Sequence, residues 1–100
     1  MKLYYSPAAC SLASNIIAHE AGLPVELVKV DLATHVTDSG KDFYTINPKG
    51  YVPVLEISEG VILTEGVAIL QYLADQKPEA NLIPKAGTMD RYHTQEWLTF

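Results

Sequence analysis

The sequence predicts an α/β fold in which a βαβ unit is followed by a β-hairpin and a covering helix, with the beginning of an all-helical second domain after it. Three observations carry this. β-favouring runs (Leu3-Tyr4-Tyr5, residues 25–30, 52–57 and 61–63) alternate with segments of helical period at residues 11–21 and 65–76. The breakers Ser6-Pro7, Gly22 with Pro24, Asn47-Pro48-Lys49-Gly50 and Ser58-Glu59-Gly60 fall between those segments. A stretch with two prolines and little periodicity then precedes a third helical pattern that still runs at Phe100.

Each element has a local reason. Leu3-Tyr4-Tyr5 is a brief buried strand because Ser6-Pro7 stops it, and it delivers the chain to Cys10. From residue 11 to 21, Leu12 with Ile16 and Ala13 with Ile17 recur at helical spacing, and Gly22 supplies the stop. Val25, Leu27, Val28 and Val30 form a second strand, after which residues 31–40 read as polar and irregular and 41–46 as a short helix or turns. Pro53 places residues 52–57 as a strand with its proline at the start or edge, and Ser58-Glu59-Gly60 turns it into Val61-Ile62-Leu63. The helix over 65–76 is apolar around much of its circumference (Val67, Ile69, Leu70, Tyr72, Leu73, Ala74), as a helix buried on two sides must be. The predicted division is a domain at 1–77, a linker at 78–87 and the first helix of a helical domain at 88–100. Trp97 and Phe100 at the end of an unfinished helical pattern need a partner surface, so a longer protein is expected.

Composition narrows the function. Apolar residues at 48% and charged residues at 19% describe an ordinary folding chain of 100 residues. A net charge of −5 with no Lys/Arg cluster speaks against nucleic acid or an anionic membrane as partner. No apolar run approaches the roughly 20 residues of a spanning helix. With Cys10 alone there is no internal disulfide or Cys-rich zinc site, and a lone thiol suits a reducing, cytoplasmic compartment. His19, His35 and His93 show no metal-ligand spacing, so no metal or cofactor is expected.

Four places could carry chemistry. Cys10 falls in the loop or first turn after the first strand, where unpaired N–H groups and the helix dipole favour an anion, against the plainer reading of an inert buried thiol. Ser11 is the natural helix cap or first-turn residue and its hydroxyl could also reach a substrate sulfur, as could that of Tyr5. Val52-Pro53 is an X-Pro bond entering a strand; a trans proline guarding an edge is the simpler reading, and a cis bond that frees the Val52 backbone for an extended peptide is the functional one. Thr64-Glu65-Gly66 opens a helix: Thr64 as cap is the simple reading, and a seat for a zwitterionic amino-acid end, with Glu65 holding its ammonium, is the functional one.

Residues 4–12, 47–55 and 63–75, in that order and spacing and with Cys10 where other classes carry Tyr or Ser, resemble the beta class of bacterial glutathione S-transferases over essentially the whole chain. The resemblance implies a thioredoxin-like fold, glutathione and a small electrophile as substrates, and a homodimer. It further implies that the Val52 backbone before a cis Pro53 meets the cysteinyl part of glutathione, that Glu65 and Gly66 hold the γ-glutamyl end, and that Cys10, assisted by Ser11, lies beside the glutathione sulfur. Three departures stand out: His35 replaces a Lys that reaches the glycyl carboxylate in many relatives, Gly66 replaces a Ser, and Thr99 replaces an Asn near the interdomain cleft. Two other readings stay open, a glutaredoxin-like exchanger using Cys10 as nucleophile and a non-catalytic binding or assembly module.

Overall fold

The computed structural model describes residues 1–7 and 9–100; Ala8, which belongs to the first of the three resembling segments, lies outside them. Five strands form one sheet in the order β3-β2-β1-β4-β5. These are β1 (Lys2–Tyr5), β2 (Glu26–Asp31), β3 (Val36–Thr37), β4 (Val54–Ser58) and β5 (Val61–Thr64). The helices are α1 (Ser11–Glu20), α2 (Gly66–Asp75) and α3 (Met89–Thr99). β1 and β2 run parallel with α1 as the crossover, and β4 and β5 form the hairpin, antiparallel to β1. This is the thioredoxin-like arrangement that the element order predicts.

The strand period of two divides the interior between the two faces of the sheet. Leu3 and Leu55, cross-strand partners, join Ala18 of α1 and Ile69 and Leu73 of α2 in one core. Their neighbours Tyr4 and Val54, also partners, join Val30 and Phe43 in the other. Each fully buried Leu, Ile or Phe contributes about 1.5–3 kcal/mol by leaving water. Burial raises the pKa of the Tyr4 phenol, with Glu56 and Glu26 adding to the effect, so it packs as a neutral ring.

α1 ends where Gly22 takes φ +68°, its N–H bonding to His19 O at 3.0 Å while Leu23 N–H bonds to Ala18 O at 3.0 Å. That pair of bonds satisfies carbonyls which the helix end leaves open. Ser14, on the buried face of α1, has no hydrogen-bond partner for its Oγ among the described residues. A buried hydroxyl without a partner costs stability. Ser14→Ala is therefore expected to stabilise the chain by about 0.5–1 kcal/mol, read as a raised midpoint in thermal or urea unfolding.

One segment differs from the sequence expectation. The stretch 31–40 is not wholly irregular: Val36–Thr37 is an edge strand paired to β2 through Val30↔Thr37, so the sheet has five strands. Within 41–46 the chain makes a 3-10 turn, Phe43–Thr45, capped by the Asp42 carboxylate, which accepts Tyr44 N–H at 3.0 Å. The stretch 78–87 holds a 3-10 turn at Pro78–Ala80.

α3 begins with Thr88 as cap, its Oγ1 accepting Arg91 N–H at 3.2 Å. Arg91 is 4% exposed and fastens α3 to α2. It donates through Nη1 and Nη2 to the two Asp75 oxygens at 3.0 and 2.7 Å, through Nη1 to Pro84 O at 3.0 Å and through Nε to Gln71 Oε1 at 3.3 Å. The hydrogen bonds to Asp75 push the guanidinium pKa further up against the opposing effect of burial. Among the described residues no helix is long and apolar enough to cross a membrane.

Candidate active site

Three chain segments meet at one end of the sheet: the loop from β1 into α1, the turn from Asn47 into β4, and the junction of β5 with α2. Together they enclose a cavity of about 290 Å³ lined by Cys10, Asn47, Lys49, Tyr51, Val52, Pro53, Thr64, Glu65 and Gly66.

In the first segment Cys10, and not Ser11, occupies the cap position of α1, and its side chain is exposed. Ser11 is the first helical residue and is wholly buried. Its Oγ donates to Ser6 O and accepts from Ser6 N–H, both at 3.2 Å, and Ser6 Oγ in turn donates to Val30 O. Ser11 is therefore the first-turn residue and not the cap, and its hydroxyl is hydrogen-bonded within the loop that carries Cys10. Tyr5, half-buried at the end of β1, does not line the cavity.

In the second segment the Val52-Pro53 bond is cis. The simpler reading of a trans edge proline is thereby corrected. β4 starts only at Val54, and among the described residues no hydrogen bond engages the Val52 backbone. The turn before it is built on Asn47, 2% exposed, whose Nδ2 donates to Tyr51 O at 2.9 Å and whose Oδ1 accepts Lys49 N–H at 3.2 Å. Gly50 sits at φ +74°, where a Cβ would approach Tyr44 Cε1 to 2.7 Å, so a side chain there would be strained and would displace the Tyr44 ring. Behind it His35, itself at φ +56°, stacks on Tyr44 with ring centroids 4.5 Å apart. His35 thus supports the turn from behind and is not among the residues that line the cavity.

In the third segment Glu65, at φ +71° and ψ 120°, is the cap residue of α2 without a side-chain cap bond, and Thr64 is the last residue of β5. Thr64 as cap is therefore corrected. The hydroxyl of Thr64 instead accepts from Lys49 Nζ at 2.9 Å, and Glu65 Oε1 accepts from the same Nζ at 2.7 Å. The first N–H groups of α2 have no intrahelical partner and point toward any anion at this end. A Cβ at Gly66 would meet only Pro53 Cγ, at 4.0 Å, so the missing hydroxyl there reflects no lack of space.

The structure thus gathers Cys10, Val52, Pro53, Glu65 and Gly66 around one cavity. It leaves Ser11, His35 and Thr99 outside its lining; Thr99, the exposed last residue of α3, donates to Gln95 O at 2.7 Å. Sequence reading missed Lys49 and Asn47, whose only signal was their place in the turn preceding Val52-Pro53. The arrangement offers an unpaired backbone, a carboxylate beside an ammonium, a helix N-terminus and an exposed thiol within one enclosure.

Residues 9–76 match the family model described as glutathione S-transferase, N-terminal domain. The chain is 49% identical over its whole length to glutathione S-transferase GstA of Escherichia coli O157:H7, of which it covers 50%. It superimposes on a bacterial beta class glutathione S-transferase of Sphingomonas chungbukensis with a TM-score of 0.97 at 52% identity, covering all of this chain and 50% of that one. A sphingomonad glutathione S-transferase complexed with glutathione gives a TM-score of 0.96 at 51% identity, with the same coverage of 100% and 50%. The chain therefore spans about half the length of these relatives.

Proposed function

Because the chain belongs to the glutathione S-transferase family, we propose that it is the glutathione-binding half of a transferase that joins the glutathione sulfur to small electrophiles. The observation that carries this is the single cavity that unites Cys10, the unpaired Val52 backbone and the Glu65 carboxylate. Glutathione lies extended along Val52, its cysteinyl part meeting the free backbone N–H and C=O as an added strand would. Its γ-glutamyl ammonium meets Glu65, and its sulfur comes beside Cys10. Held there, the thiolate attacks an electrophilic carbon: a C–S bond forms, the leaving group departs with its bonding pair, and the thiol proton passes to water.

In this reading residues 1–77 form the glutathione unit, 78–87 the linker and α3 the first helix of a helical domain that completes the electrophile pocket. The complex of the sphingomonad relative with glutathione supports the ligand. The exposed Tyr51 and Trp97, at 71% and 73%, are compatible with the homodimer that the family resemblance implies, and the lone thiol Cys10 supports a cytoplasmic setting.

Calorimetric titration of glutathione into the chain tests this reading. Saturable binding is expected, and Glu65→Ala is expected to weaken it at least about tenfold, the loss of one ammonium–carboxylate contact in a partly open site. A folded chain that takes up no glutathione, or a Glu65→Ala variant that binds it unchanged, overturns the assignment.

A further inference from the structure

We propose that Lys49 is the second half of the seat for the ligand's amino-acid end: Glu65 takes the ammonium, and Lys49 takes the α-carboxylate on the same carbon. The proposal rests on the glutathione reading above and assigns specificity within that site.

Lys49 and Glu65 stand sixteen positions apart in sequence yet meet at 2.7 Å, both lining the cavity. Lys49 is the one Lys or Arg among the described lining residues, so any ligand anion at this corner has it as its only side-chain cation. An ammonium carries three donors. Two are used here, toward Thr64 Oγ1 and Glu65 Oε1, and one remains for a ligand. The Lys49–Glu65 pair is well exposed, and an exposed ion pair is held by little energy. A zwitterion entering beside it replaces one ion pair with two crossed ones, ligand ammonium on Glu65 and ligand carboxylate on Lys49.

The root of Lys49 is fixed while its head is free to turn. Its N–H is held by the buried Asn47 side chain, and the next residue is Gly50, where a side chain would press on the Tyr44 ring. The ammonium thus pivots from a set point at the cavity wall. Glu65 alone would accept any amine. With Lys49 beside it, the corner selects ligands that carry both charges on one carbon.

The test compares glutathione with 4-aminobutyryl-cysteinylglycine, which keeps the ammonium and lacks the α-carboxylate, by calorimetric titration into the chain and its Lys49→Met variant. Lys49→Met is expected to weaken glutathione about tenfold and to change the decarboxylated peptide less than twofold, and Lys49→Arg to restore most of the glutathione affinity. Unchanged or tighter glutathione binding in Lys49→Met makes Lys49 a mere occupant of Glu65 and overturns the proposal. Equal losses for both peptides assign it to holding Glu65 in place and overturn it too. In either case glutathione binding by the parent chain leaves the functional reading standing. A parent chain that fails to bind glutathione overturns that reading, and this proposal with it.

Discussion

Phe43→Ala is expected to cost about 3–5 kcal/mol of folding stability, the usual cost of emptying a core position of an aromatic ring. Phe43 is fully buried, its ring lies 5.7 Å from that of Tyr4, and it packs with Val30 and Val54 in the second core. The 3-10 turn that carries it is pinned where Phe43 N–H bonds to His35 O at 2.8 Å. Backbone and ring therefore hold the same place, and the surroundings have little freedom to collapse into the void. Against the roughly 5–15 kcal/mol of a typical domain the loss is large. Urea unfolding measures it directly. A change below about 1 kcal/mol would show that the cluster contributes little, contrary to its burial. Val52 and Ile46 pack against the same cluster, so the cavity wall should loosen along with the core.

Asp75→Ala is expected to cost about 3 kcal/mol, toward the lower end of the range for breaking a buried charge pair because the carboxylate is itself partly exposed. The damage falls on the partner that remains. Arg91, with its side chain 5% exposed, would keep its charge and lose both bonds to a charged acceptor, and the acceptors left to it, Pro84 O and Gln71 Oε1, are neutral. The cheapest response is for α3 to swing the guanidinium into water. Trypsin cuts after arginine, so release of α3 should appear as faster cleavage between Arg91 and Tyr92, while Asp75→Asn, which keeps an acceptor, should lie between wild type and Asp75→Ala. Cleavage no faster in Asp75→Ala than in wild type would mean that α3 is held by its other contacts.

The elements legible in the sequence were those whose cause is local. The Leu3-Tyr4-Tyr5 run stopped by Ser6-Pro7, the α1 periodicity closed by Gly22, and the turn at Ser58-Glu59-Gly60 each depend on neighbours within a few positions, and the structure keeps all of them. β3 was hidden because its pairing is the whole of its reason: two residues in a polar stretch become a strand only when Thr37 meets Val30. Arg91 and Asp75, sixteen positions apart, were likewise beyond any periodic pattern.

The site divides along the same line. Cys10, Val52, Pro53, Glu65 and Gly66 each sit at a local landmark (a strand end, an X-Pro bond, a helix start), but on residues alone a trans proline and a capping Thr64 were the simpler readings, and it was the resemblance that drew them into one site. Lys49 was missed, since its meaning comes from Glu65 across the cavity. For Ser11 the sequence left cap or first turn open; the chain enters the helix one residue earlier, so Ser11 falls in the first turn with its hydroxyl on Ser6. His35 follows from the resemblance to relatives with Lys there, whereas its positive φ and its stack on Tyr44 are set by tertiary packing.

The division of β1 between two interiors works as a parity check on the whole fold. Leu3 and Tyr4 answer to different cores, so a slip of a single position would send a phenol among the aliphatic side chains of α1 and α2 and a leucine into the place opposite Phe43. Both errors would be penalised at once, and neither could be repaired on its own face. β1 ends at Tyr5 and the chain then turns toward Cys10, so one residue of slip, about 3.3 Å along the strand axis, would move the point where that turn begins. The same even–odd alternation that keeps the sheet in phase therefore fixes where the loop toward the cavity leaves the sheet.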